Sequence, residues 1–134
     1  MKRIVTIQDI SCVGKCSLTV ALPIISAMGV ETAILPTAVL STHTMFPSPT
    51  CADLTDEIEP ISRHWVSQDL DFDAIYTGYL ASGRQISLVS RFFQTFRREG
   101  TPVIVDPAMA DNGKLYPAFS PDFPGQMREL CRQA

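Results

Sequence analysis

The chain has 134 residues, 46% of them hydrophobic and 19% charged, with a formal net charge of −3. That length and balance predict one packed domain rather than disorder, and the absence of a basic stripe argues against a nucleic-acid partner. The longest apolar stretch, near Val20 to Ile25, is too short to span a bilayer and holds Pro23, and the opening MKRIVTIQD lacks the apolar segment of a signal peptide. The four cysteines, Cys12, Cys16, Cys51 and Cys131, form no zinc-type spacing, so reduced thiols in a cytoplasmic protein are expected.

Arg3 to Gln8 (RIVTIQ) predicts a first buried strand, and Asp9 to Ser17 a loop of small and polar residues. A helix follows, with Leu18, Ala21, Leu22, Ile25 and Met28 at helical spacing and Gly29 as its C′ residue. Pro23 inside it predicts a kink or a late start. Thr32 to Leu35 predicts a second strand, completing a βαβ unit. The stretch TAVLSTHTMFPSPTCADL carries prolines and hydroxyls without a helical period and reads as a rim segment or flap. Asp53 to Gln68 reads as a polar helix, broken or restarted at Pro60. Ala74 to Thr77 predicts a third strand, turning off at Gly78-Tyr79-Leu80.

Ser82 with Gln85 matches a capping box. The helix after it carries Ile86, Val89, Phe92, Phe93 and Phe96 on one side and is expected to end at Gly100. Its phenylalanines read as core. Val103 to Val105 predicts a fourth strand, buried on both faces, that stops at Pro107 because proline cannot donate to the ladder. Asn112-Gly113 is a turn pair. Pro124 to Ala134 predicts a last helix with Met127, Leu130 and Cys131 inward. Strand and helix alternate, which predicts an α/β fold with a mainly parallel sheet and right-handed crossovers. Four visible strands make a small sheet, as in the first half of a larger domain.

Ligands of open parallel sheets bind outside the carboxyl ends of the strands. That rim gathers Asp9 and Ser11, then Ser41, His43 and Thr44, then Gly78 and Tyr79, then Asp106 and Asp111. The two last acids suit a hydrated Mg²⁺, which takes oxygen ligands and keeps its waters. They equally suit a strand ended by an Asp-Pro turn with Asp111 capping the next turn. His43 suits a substrate hydrogen bond or a structural role. Gly14-Lys15 invites comparison with a phosphate-binding loop, but the Walker pattern is absent and the signal is weak. No Ser/His/Asp or Cys/His arrangement has the context of a nucleophile.

IQDISCVGKCS, TAVLSTHT, YTGYL and VDPAMADNGKLY, in this order and at these spacings, resemble the N-terminal half of the pyridoxal kinase family of the ribokinase-like superfamily. The likeness covers essentially the whole chain and is greatest to the bacterial pyridoxal/pyridoxamine kinases. It implies an ATP-dependent kinase acting on the 5′-hydroxymethyl group of a vitamin B6 vitamer. ATP and Mg²⁺ are the implied cofactors, K⁺ is a further candidate, and the complete protein is expected to be a homodimer. Residues 1–134 would form the substrate-binding half of one kinase domain. By resemblance Asp9, Ser11, His43, Thr44 and Tyr79 line the vitamin site. Asp106 and Asp111 match the two acids near Mg²⁺ and the ATP phosphates, holding the metal through water.

Two departures stand out. Asp9 occupies a position that is Ser in many pyridoxal kinases and resembles the Asp of the related hydroxymethylpyrimidine kinases. Met45-Phe46-Pro47-Ser48-Pro49 replaces the family's glycine-containing flap and should be stiffer. The GxGD turn that carries the family's catalytic base does not occur among these residues. The alternatives are therefore a non-catalytic piece that at most binds a pyridine ligand, and a hydroxymethylpyrimidine kinase-like activity.

Overall fold

The computed structural model describes residues 1–134. In chain order the elements are β1 (Arg3–Ser11), α1 (Leu18–Ala27), β2 (Glu31–Leu40), β3 (Cys51–Asp53), α2 (Thr55–Ser67), β4 (Ala74–Thr77), α3 (Gly83–Phe96), β5 (Val103–Val105), β6 (Ala110–Asp111), β7 (Lys114–Leu115) and α4 (Phe123–Cys131). The main sheet runs β3-β2-β1-β4-β5. All its neighbours are parallel except β2 and β3.

The period-2 pattern of the strands sorts side chains between two faces. Val5 and Ile7 of β1, Leu35 of β2, Ile75 of β4 and Val103 of β5 point to one face and join a single core with α2, α3 and α4. The phenylalanines of α3 fill it: Phe92 and Phe96 stack at 4.4 Å, Trp65 packs edge-on to them, and Phe72 lies tilted against both. α1 contacts β1 and β2 from the opposite face. The crossover from β1 goes one way to β2 and the crossover from β4 goes the other way to β5. Right-handed connections then put α1 and α3 on opposite faces, as in doubly wound sheets.

The structure corrects six expectations. β1 continues through Asp9 to Ser11, because Ile10 and Ser11 pair with Val39 and Leu40 across a register shift. β2 runs on through Pro36 to Leu40, so the first part of the supposed flap is strand. β3 folds back antiparallel on Ala38 to Leu40, and the remaining flap is its connection, closed at the base by Ser41 and Thr50. α2 passes through Pro60 unbroken. α3 ends at Phe96 rather than Gly100. Ile104 is 57% exposed, so β5 is buried on one face only.

Candidate active site

The point where the chain reverses direction across a doubly wound sheet leaves a crevice at the strand ends. Here it lies between the end of β1 and the end of β4, and the chain places Asp9, Gly78 and Tyr79 there. Asp9 belongs to the face of Val5 and Ile7, but the shift between Gln8 and Ile10 carries it past the apolar core. It is 5% exposed. Its Oδ2 accepts one long bond from the Ser11 hydroxyl at 3.4 Å, and its Oδ1 has no partner. A buried carboxylate oxygen without a donor is costly and marks a place where a donor is expected.

Tyr79 follows β4. Its carbonyl accepts from the Thr37 hydroxyl at 3.3 Å. Its ring packs on Phe119 at 5.7 Å and faces Tyr116 at 6.3 Å. Phe119 in turn stacks on Phe123 of α4 at 3.8 Å, so the aromatic wall is anchored to the core. Burial raises the Tyr79 phenol above its ordinary value, and the nearby Asp9 carboxylate adds to the shift. The phenol therefore stays neutral and can donate. Gly78 is required by close approach: a Cβ there would stand 2.6 Å from the Gln8 amide oxygen and 3.2 Å from the Gln8 Cβ.

Two residues of this region carried no signal in the sequence. Cys51 reaches the Asp9–Tyr79 neighbourhood only because β3 folds back on β2. Burial, then Asp53 and Asp9, raise its thiol, which keeps it protonated and weakly nucleophilic. Tyr116 lies between the two acids of the loop after β5. Burial first, and then Asp111 and Asp106, raise its phenol.

His43 and Thr44 sit on the connection from β2 to β3. The His43 backbone bonds to the Val13 carbonyl, its ring lies 4.8 Å from Phe46, and its Nδ1 accepts from the Met45 N–H. A Cβ on Gly14 would fall 1.9 Å from the His43 ring, so the two loops are packed edge to edge. Thr44 is exposed. The contacts of His43 are thus with the loop after β1. Asp9 and Tyr79 form the pair that the fold joins directly.

Asp106 bonds through its N–H to the Thr77 carbonyl and ends β5 beside β4. Asp111 opens a hairpin of β6 and β7 whose turn residues Asn112 and Gly113 both have positive φ, the signature of a type I′ turn. Both carboxylates are exposed, and no cluster of three or more acidic, His or Cys side chains surrounds them. Two open carboxylates suit a cation that keeps its water and takes its other ligands from phosphate, and do not suit a protein-caged metal.

No protein-family profile matches the chain, and no curated protein does. Solved structures do. A Bacteroides thetaiotaomicron protein described as a phosphomethylpyrimidine kinase, crystallised with pyridoxal, is 46% identical with a TM-score of 0.96, covering 99% of this chain and 46% of its own. Pyridoxal kinase from Lactobacillus plantarum is 33% identical with a TM-score of 0.89, covering 97% and 46%. Pyridoxal kinase from Leishmania donovani, solved with ADP and pyridoxamine, shares the fold at 22% identity with a TM-score of 0.85. The chain therefore has the ribokinase-like fold: a mainly parallel sheet flanked by helices. Within that class it resembles the pyridoxal and phosphomethylpyrimidine kinases, and it spans about half the length of these structures. No helix is long and apolar enough to cross a membrane.

Proposed function

We propose that this chain supplies the vitamin-binding half of a cytoplasmic, ATP-dependent kinase that phosphorylates the 5′-hydroxymethyl group of pyridoxal, pyridoxamine or pyridoxine. The observation that carries the reading is the buried, unpartnered Oδ1 of Asp9 at the switch point. A pyridine ring lying there would give Asp9 a donor, from its phenolic hydroxyl or a protonated ring nitrogen. Tyr79 offers an aromatic wall and a neutral phenol. Ser11 holds the second carboxylate oxygen, and His43 and Thr44 would close the site from the flap. The Bacteroides and Lactobacillus relatives support a B6-type ligand.

Asp106 and Asp111 would hold hydrated Mg²⁺ against the ATP phosphates, where the ion neutralises charge as the phosphoryl group transfers. The residues of this chain bind and orient the alcohol. Its deprotonation requires a base that the resemblance places outside these residues.

Asp9 also favours a second reading, because an aminopyrimidine alcohol presents a donor to the same oxygen. Titration of the chain with pyridoxal and with hydroxymethylpyrimidine, followed by calorimetry, separates the two. Asp9→Asn keeps the volume but removes the charge. It should weaken the preferred ligand by about tenfold or more, the worth of a charge-assisted hydrogen bond. Unchanged affinity for both ligands in Asp9→Asn would remove Asp9 from the site and the proposal with it.

A further inference from the structure

Strand register brings Cys51 to the crevice that holds Asp9 and Tyr79. Leu40 of β2 pairs with Ser11 of β1 on one side and with Cys51 of β3 on the other. Residues paired across strands share a face of the sheet, so Ser11, Leu40 and Cys51 form one row. Alternation along β1 puts Asp9 on the same face, one row deeper, beside Ala38 and its partner Asp53. Along the outer row Ser11 and Leu40 are buried and Cys51 is exposed, with a free thiol. The Asp9 carboxylate acts on the Cys51 thiol, and both act on the Tyr79 phenol, so the three groups lie within reach of one another. Into that shared volume Asp9 brings its buried Oδ1, which has no donor. Ser11 and Cys51 stand two strand spacings apart, about 9–10 Å. A trough of that width, floored by Leu40, takes one substituted six-membered ring.

We propose that Cys51 is a specificity-determining residue of this site. A ring that donates to Asp9 puts its far edge against the Cys51 thiol, and the volume of residue 51 limits the ring substituent that lies against β3. This deepens the reading of Asp9 as the ligand's anchor and rests on it. A protonated thiol suits the position: it is small and polarizable, and sulfur makes favourable contacts at the edges of aromatic rings. A branched side chain on the same strand would fill the space of the substituent without disturbing the β2–β3 ladder, because Cys51 pairs through its backbone.

The test is alkylation of the 134-residue chain by iodoacetamide under mildly alkaline conditions, with the rate at each cysteine read by mass spectrometry. The probes are pyridoxine and hydroxymethylpyrimidine; neither carries an aldehyde that could add to a thiol, so slowing reports shielding. With ligand tenfold above the Kd found by calorimetry, the site is free about one-eleventh of the time. Modification of Cys51 should then slow about tenfold, and that of Cys131, at the far end of α4, should not. Cys51→Leu should weaken the bound ligand about tenfold or more, with circular dichroism checking that the chain stays folded. Ligand binding with Cys51 alkylated at its free rate would overturn the proposal and leave the Asp9 reading standing. Equal slowing at Cys131 would overturn it too, since that marks a general tightening of the chain. So would wild-type affinity in Cys51→Leu alongside lost affinity in Asp9→Asn. No binding of either ligand by the wild-type chain would remove both readings together.

Discussion

Gly14 is one residue whose identity the structure explains by contact. Its φ of +101° lies in the left-handed region, and a Cβ would collide with the His43 ring. Gly14→Ala is expected to cost about 1–3 kcal/mol through backbone strain and displacement of His43. Part of that cost should vanish in a His43→Ala background. A double-mutant cycle by urea unfolding should return a coupling of about 0.5–3 kcal/mol, and additivity would show that the ring moves aside freely. At the other end of the site, Asp106→Asn should lower turnover far more than vitamer affinity in a full-length version of the protein. Asp106 faces Tyr76 and Tyr116 rather than Asp9, and its proposed partners are metal and phosphate. Equal loss of vitamer binding without nucleotide would move Asp106 into the ring pocket.

The starts of α2 and α3 are fixed by side-chain hydrogen bonds, some local and some from elsewhere in the chain. Gln85, fully buried, accepts from the Ala81 N–H at 2.7 Å and donates to the Thr37 carbonyl and the Thr55 hydroxyl. Together with the Ser82 hydroxyl, which accepts from the Gln85 N–H, it ties α3 to β2 and α2. Asp53 accepts from the Thr55 N–H at 2.7 Å at the start of α2. Hydrogen bonding from the Thr55 hydroxyl and then from its N–H holds the Asp53 carboxyl below its ordinary value, and Lys2 does the same for Asp73. A depressed carboxylate stabilises the fold above its unfolded pKa, about 3.9, and the contribution is lost as pH falls through the lower folded value. Urea midpoints measured from pH 7 down to pH 3 should therefore fall on the acid side. Asp53→Asn, which can still accept from the Thr55 N–H but does not titrate, should flatten that fall. An identical acid limb in the variant would remove Asp53 from the account.

At the scale of the whole molecule, the core face is complete and the opposite face is not. The core gathers α2, α3 and α4 around the phenylalanines of α3, whereas on α1 only Leu18 is buried, Val20, Ala21, Leu22 and Ile25 are half-buried, and Ile24 is exposed. Such a body can present a ligand pocket without completing a phosphoryl-transfer site. The 134-residue chain alone should show no ATP-dependent phosphorylation of pyridoxal with Mg²⁺ and K⁺ present. General-base help is worth about 10²–10⁴-fold, and by resemblance the base lies outside these residues. Turnover by the chain alone at the rate of an intact vitamin B6 kinase would show that the base lies among its own side chains.

The sequence by itself determined what local periodicity and chain chemistry control. The existence and order of the four parallel strands, the phenylalanine face of α3, the Ser82–Gln85 cap and the Asn112-Gly113 turn follow the pattern of residues, although β1 and β2 run past their expected ends. The motif spacing also carried the resemblance that the solved structures uphold. Tertiary pairing decided the rest. Pro36 continues β2 because β3 reaches only Ala38 to Leu40, which leaves one side of β2 unpaired at the proline, where a missing N–H is tolerated. β3 is three residues long and owes its form to the ladder with β2 rather than to its own propensity. Asp9 reads as a loop acid, yet the register shift between β1 and β2 turns it into a buried one. Cys51 meets Asp9 and Tyr79 only through that same hairpin, because a contact between residues far apart in the chain depends on strand order and register rather than on local sequence.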